Sequence, residues 1–349
     1  MKTRWLMPVA FWFVFDFGRS VVQFVVRLRS CILVMCCLGF AALAQAQEAS
    51  YPNKSIRIIV PVPPGGAADG MARLVADHLQ AKWGQPVVVD SRPGAGAAVG
   101  LALLAKSSPD GYTLGMGNIA ANAINPALQP AQFSYHPVKD SAAISLIGVT
   151  PLILVVNVDK VPAKTIPEVV AFLKAHPGKL AYGSSGTGSS LQISMEIFLQ
   201  KTGTRMLHVP YKGSAPMMTD LLGGVMVASM DAATTSWPQV QAGKLRALGG
   251  AGSQKAFFAP ELPLLSEVVP GFNVKPWHGL MAPAGTPAAI VNKLSGEILV
   301  FLRTPAAQAK LQDRGIVKVG SSASDFQAFM ASEFEVYKKV IQDAGIKAE

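Results

Sequence analysis

Beyond residue 37 the chain has no cysteine: Cys31, Cys36 and Cys37 all fall within one apolar N-terminal stretch. Whatever follows has no thiol for a disulfide, a metal site or nucleophilic catalysis, which removes several enzyme classes at once. Charge is also scarce, at 15% of residues, and after residue 46 the basic side chains are scattered, with Lys338 and Lys339 their only adjacent pair. Nucleic-acid binding needs a basic stripe, often interleaved with aromatics, and none is present. The five histidines lie far apart and in no metal-ligand spacing. A G-x-S-x-G nucleophile elbow is missing, since Gly183 and Gly186 are spaced wrongly around Ser185. Gly94, Gly96 and Gly100 fall short of a dinucleotide fingerprint, the third glycine coming one residue late. No repeat of solenoid period is visible either.

What is present is a chain of 349 residues, 50% of them hydrophobic and only 8% aromatic, long enough to bury a sizeable core in one large domain or two. Its N-terminus reads as an export signal. Arg27 and Arg29 form a basic region, residues 31–43 an apolar core, and Ala44, Gln45 and Ala46 an A-x-A cleavage site, which predicts a mature start at Gln47. The leader, residues 1–46, is unusually long because residues 5–26 are apolar as well. A start downstream of Met1 and a retained membrane anchor are therefore alternatives. Asp16 and Arg19 interrupt the apolar run and would be costly in hydrocarbon, which weighs against the anchor. Lipid attachment at Cys36 lacks the usual small preceding residue, since Met35 stands there. The leader carries a net +4, so the formal charge of +10 falls to +6 in the mature chain, a modest attraction for anionic solutes.

Along the mature chain, β-branched runs alternate with helical spacing. Residues 55–60 read as a strand, and Met71, Leu74, Val75 and Leu79 as the apolar face of a following helix. Residues 86–89 and 112–116 are further strands with an alanine-rich helix between them. From residue 151 the pattern restarts, with strands at 151–156, 180–183, 208–211, 225–230 and 245–249 and helices between several of them. An extended stretch at 275–281 precedes two helices, at 288–303 and 324–344, the second stopped by Gly345. Such alternation predicts an α/β protein with mainly parallel sheets. The restart at 151 and the break near 275 predict that the chain leaves one lobe, residues 47–150, builds another, 151–274, and returns for 275–349. Two strands would then cross between the lobes, with a cleft where ligands sit.

Two glycine-rich turns each follow a strand and open a helix, at residues 63–69 and 184–190. A turn of this kind aims unpaired backbone N–H groups and the positive end of a helix dipole at one spot, a ready anion site. Ordinary βα connections look the same singly; as a pair on opposite lobes they would grip both ends of a dicarboxylate. Gly65 and Gly66 permit the backbone approach. Asp69 reads as a first-turn residue that bonds exposed N–H groups, and no carboxylate partner at a catalytic spacing accompanies it. Ser184, Ser185, Thr187 and Ser189 either donate hydroxyls to a carboxylate or cap the helix. His278, beside Trp277, either faces the cleft or is a buried, hydrogen-bonded histidine.

The runs PVPPGGAADGMARLVADHLQ, GQPVVVDSRPGAG, PDGYTL, YGSSGTGS, HVPYKGSAP, DLLGG and WHGLMAPAGTP, in that order over essentially the whole mature chain, resemble the tripartite tricarboxylate transporter substrate-binding proteins, also called Bug receptors. The resemblance implies a two-lobed periplasmic binding protein of the Venus-flytrap, type II-like kind, without enzymatic activity or cofactor. It implies a monomer that hands a small carboxylate to the permease subunits of a tripartite transporter. Presentation of the loaded receptor to a membrane sensor kinase is the alternative, and an exported hydrolase a more distant one. In this family the carboxylate is held by backbone groups and ordered waters at the βα turns. Carried onto this chain, that implies Val62, Gly65, Gly66, Ala68 and Asp69 on one lobe and Ser184, Ser185, Gly186, Thr187 and Gly188 on the other, with Asn118, Asn122, Tyr211, Lys212 and Asp231 as further candidates. Val62 stands where the family often has an aromatic, which implies a smaller wall and room for a bulkier ligand. Ser91 replaces a common asparagine, and Ala97 and Ala98 a stretch usually richer in glycine and asparagine.

Overall fold

The computed structural model describes residues 51–252, 255–272, 274–344 and 346. The leader with its cleavage site and cysteines, and the helix stop assigned to Gly345, lie outside the described residues. The first half of the structure begins with β1 (Ile56–Val60), whose Ile56, Ile58, Ile59 and Val60 are fully buried. It runs through the glycine turn into α1 (Ala67–Trp83), where Met71, Leu74, Val75 and Leu79 form the buried face. Gly84, in the left-handed region, returns its N–H to the Gln80 carbonyl and ends that helix. Next come β2 (Val87–Ser91), α2 (Ala98–Ala105), β3 (Thr113–Asn118), a π-helical turn at Ala120–Ile124, α3 (Asn125–Leu128) and β4 (Ser141–Val149).

A second sheet starts at β5 (Leu152–Asn157), all of it buried. It continues through α4 (Ile166–Ala175), β6 (Ala181–Ser184), α5 (Ser190–Thr202), β7 (Leu207–Pro210), α6 (Ser214–Leu222), β8 (Ala228–Ala232), α7 (Ala233–Gln241), β9 (Leu245–Ala251) and the single turn α8 (Leu265–Val268). The chain then returns to the first sheet with β10 (Trp277–Pro283), α9 (Ala288–Arg303), α10 (Pro305–Gln312), β11 (Val317–Lys318) and α11 (Ala323–Ala344).

The strand orders are β11-β4-β10-β3-β1-β2 in one sheet and β7-β6-β8-β5-β9 in the other. The fold is therefore two-lobed α/β. The sheets are mixed, which corrects the expectation of mainly parallel ones. β1, β2 and β3 run parallel, as do β6, β7 and β8. However, β10 runs antiparallel to both its neighbours, and so does β5. The reason is the crossing itself: the strand by which the chain enters each sheet, β5 in one and β10 in the other, is inserted against the direction of the βα units.

β4 ends at Val149 and β5 begins at Leu152, so the outward crossing is only Thr150 and Pro151. The return enters β10 through Lys275 and Pro276, and the Thr150 N–H donates to the Pro276 carbonyl at 2.9 Å. The two crossings thus lie side by side, bonded to each other. Thr150 Oγ1 also lies 3.1 Å from His278 Nε2. His278 is the hydrogen-bonded histidine of the two readings given above, though half-buried and not fully buried, and burial pulls its pKa down to about 4, so it is neutral at physiological pH.

Candidate ligand-binding cleft

Parallel strands end on the same edge of their sheet, and ligands of α/β proteins sit outside such carboxyl ends. Here the turns after β1, β6, β7 and β8 meet around one cleft of about 1200 Å³. The β1 turn contributes Val62, Pro63, Pro64, Gly65 and Gly66, and α1 adds Ala67, Asp69, Gly70 and Arg73. Across from them stand Ser185 after β6, Lys212 to Pro216 after β7, and Ala232, Thr234 and Thr235 after β8. Thr150 of the crossing also borders the cleft, as do Asp313 and Arg314.

Three helices begin at this cleft, and none has a side-chain cap. The N-cap positions are Gly66 for α1, Gly213 for α6 and Ala232 for α7. Glycine and alanine carry no side-chain oxygen to accept the first-turn N–H groups, so donors and positive dipole ends are left to the cleft, apart from the Ala233 N–H of α7, which donates to the Pro151 carbonyl at 3.0 Å. Gly65 has φ +91°, a conformation an L side chain strains to adopt. Its N–H donates to Asp69 Oδ2 at 3.1 Å, and Arg73 Nε donates to the same oxygen at 3.0 Å. Burial pushes the Asp69 carboxyl up, yet Arg73 and the Gly65 N–H outweigh it and hold the pKa below the usual carboxylate value. Asp69 therefore remains an anion whose charge is committed to shaping the turn.

The second glycine-rich turn is organised differently from the first. Only Ser185 of it borders the cleft. Ser189 caps α5 by accepting the Gln192 N–H, and the Gly188 N–H donates to Gln192 Oε1 at 2.7 Å. The Gly186 N–H donates to Ser184 Oγ at 3.2 Å, and Ser184 is fully buried with its hydroxyl 2.7 Å from His208 Nε2. Thr187 belongs to the same turn and is absent from the cleft wall. Gly188 faces the other lobe: a Cβ there would lie 2.1 Å from Asn125 Oδ1, while Asn125 Nδ2 donates to the Gly96 carbonyl at 2.8 Å.

The remaining candidates divide similarly. Ala68 is buried beneath the first turn of α1. Asn118 and Asn122 are buried and satisfy the π-helical turn: Asn118 Oδ1 accepts the Ala121 N–H at 2.9 Å and Asn122 Oδ1 the Asn118 N–H at 3.1 Å. The Tyr211 hydroxyl donates to Asp220 Oδ2 at 2.6 Å. Asp231, fully buried, accepts the hydroxyls of Thr235 and Ser236, each at 2.5 Å, and so pins the start of α7. Burial raises the Asp231 pKa, opposed by those two hydroxyls.

Sequence reasoning missed the α6 and α7 N-termini as elements of the cleft. Pro238 inside α7 and its run of Thr and Ser hide a helix from propensity. The available signal was the pair of turns at 211–213 and 231–233, each directly after a strand. Among the described residues no group of His, Cys, Asp or Glu is arranged to hold a metal ion.

Two α/β lobes, a bonded double crossing and a cleft lined by helix N-termini define a solute-binding receptor. The profile of the tripartite tricarboxylate transporter family receptors matches residues 71–346, and the chain belongs to that family. It is similar to BugT of Bordetella pertussis, 35% identical over 311 residues that cover 88% of this chain and 94% of that protein. Among solved structures it resembles an R. palustris protein with adipate, at TM-score 0.76 and 32% identity over 85% of this chain and 99% of that one. It also resembles MatC of Rhodopseudomonas palustris with bound malate, at TM-score 0.72 and 27% identity over 83% and 100%. No helix among the described residues is long and apolar enough to cross a membrane.

Proposed function

We propose that this chain is an exported, periplasmic receptor that captures a small organic acid in the cleft and delivers it to the permease subunits of a tripartite tricarboxylate-type transporter. The acid is a di- or tricarboxylate, an amino acid or an aromatic carboxylate. The observation that carries the reading is the convergence of three uncapped helix N-termini, at Gly66, Gly213 and Ala232, on one cleft. Their free donors and dipole ends favour an anion without a cationic clamp. Lys212 and Arg314 at the rim add attraction at longer range. The adipate and malate of the two relatives support a carboxylate as the ligand.

In this reading Val62, Gly65, Gly66 and Asp69 meet or frame one end of the acid, and Ser185, Lys212, Ser214 and Thr235 the other. Ala68, Asn118, Asn122, Ser184, Gly186, Thr187, Gly188, Tyr211 and Asp231 act from behind, by holding the turns in shape. Residues 47–150 with 275–349 turn against residues 151–274 about the paired crossings, and closure expels water and strengthens the dipolar grip. No chemistry follows capture. The Ser184 hydroxyl, which pairs with His208, is buried away from the cleft wall and so unavailable as a nucleophile.

Thermal-shift screening of the mature chain against organic acids, amines and sugars tests this. A ligand present at about a hundred times its Kd stabilises by about 2.7 kcal/mol. Carboxylates are expected to raise the melting temperature; amines or sugars doing so while no carboxylate does would refute the assignment.

A further inference from the structure

A second cavity, of about 230 Å³, lies at the hinge. It is walled by β4, both crossings, β11 and α11, through Leu146, Val149, Val317, Val319 and Phe329, together with Lys275. We propose that it is a separate binding site for a small apolar monocarboxylate of benzoate size, seated by its ring against the aliphatic wall with its carboxylate toward Lys275.

Volume, wall chemistry and charge each point to that class. A cavity of roughly 150 Å³ with an apolar lining accepts a benzene ring, so about 230 Å³ accommodates a ring with one small substituent. The wall is mostly hydrocarbon, which favours an apolar body and disfavours a sugar or a polycarboxylate. Lys275 is the one ionisable residue in it among the described residues, and no ion pair there engages its ammonium. Glu333, on α11 one turn beyond Phe329, is the nearest named counter-charge. Its carboxyl is buried and stays largely neutral at mildly acidic pH, its pKa pushed up to about 7 by burial against the opposing pull of Lys275. A small anion would supply what Lys275 lacks.

The location gives such a site a role. Thr150 and Pro151 form one crossing and Pro276 part of the other, and all three border the cavity. Thr150 also borders the main cleft. An occupant would therefore brace both crossings in the present arrangement, from a position that does not overlap the main cleft. This site does not depend on the function proposed above.

The test uses benzoate on the mature chain carrying Gly66→Val, which obstructs the main cleft, with methyl NMR signals of Val149, Val317 and Val319 as reporters. Saturable shifts of these methyls are expected at millimolar benzoate, with benzyl alcohol and benzylamine binding at least about tenfold more weakly. Lys275→Met is expected to bring benzoate down to the level of benzyl alcohol. Val319→Phe, at a rim position 43% exposed and so safe for folding, is expected to abolish the shifts by filling the mouth. Absence of saturable shifts would overturn the proposal, as would equal binding of benzyl alcohol or unchanged benzoate affinity in Lys275→Met. Adipate or malate titrated into the unmodified chain reports on the main cleft through residues 62–66, so the failure of either site leaves the other standing.

Discussion

Gly66→Val is expected to weaken ligand capture about a hundredfold while sparing the fold. At Gly66 the backbone is extended, φ −83° and ψ 177°, a conformation any residue adopts. A Cβ built there meets no heavy atom within 4 Å. Valine therefore neither strains the chain nor collides with it, and as a poorer N-cap than glycine it is expected to cost about 1 kcal/mol of stability. Its methyls would, however, stand over the first turn of α1, where a carboxylate oxygen needs to come within about 2.8 Å of an N–H donor. Losing two charge-assisted hydrogen bonds, at about 1.5 kcal/mol each, removes roughly 3 kcal/mol, a little over a hundredfold in Kd. Gly65→Ala is the contrast: at φ +91° it strains the turn and is expected to cost about 1–2 kcal/mol of stability. Calorimetric titration with adipate and malate, beside melting curves of both variants, separates the two effects. Wild-type affinity in Gly66→Val would refute the assignment of the α1 N-terminus as an anion site.

Gly188→Ala is expected to weaken binding by about tenfold or more without touching the ligand, because its Cβ would collide with Asn125 Oδ1 across the lobes. Adding Asn125→Ala removes the obstacle and is expected to recover most of the loss in a double-mutant cycle; no recovery would mean that the φ +74° strain at Gly188 is the whole effect. The buried carboxyl of Glu333 has a folded pKa of about 7, above its unfolded value of 4.5. The native state then holds a proton that the unfolded state has lost, so stability falls as pH rises from about 4.5 to about 7 and is level above that. The total is on the order of 3 kcal/mol. Glu333→Gln is expected to flatten this slope, raising the melting temperature at pH 8 and leaving it unchanged near pH 4.5; an unaltered slope by calorimetry would remove Glu333 as its source.

The first glycine turn was legible because every local signal agreed there. A β-branched run feeds Pro63, Pro64, Gly65 and Gly66, and a helical apolar face follows at Met71, Leu74, Val75 and Leu79. Asp69 was likewise readable, since its partner, the Gly65 N–H, lies only four residues away. The second turn looked equivalent from its Ser and Gly content, but its donors are consumed by Gln192 and Ser184, side chains whose direction no local pattern reveals. β4 went unassigned, and α7 escaped notice through its proline and hydroxyl residues.

By itself the sequence determined the α/β class, the restart at residue 151 and the return near 275, and the strand–turn–helix unit around Gly65 and Gly66. These depend on contacts within a few residues, where periodicity and turn chemistry act. Tertiary structure alone decided that β10 and β5 run antiparallel to their neighbours, and that α6 and α7 join α1 at one cleft in place of α5. It also decided that the crossings enclose a cavity beside Lys275. Such features arise where segments distant in the chain meet, as Thr150 and Pro276 do through one hydrogen bond. Their pairing is selected by the packing of whole lobes, which no local run of residues encodes.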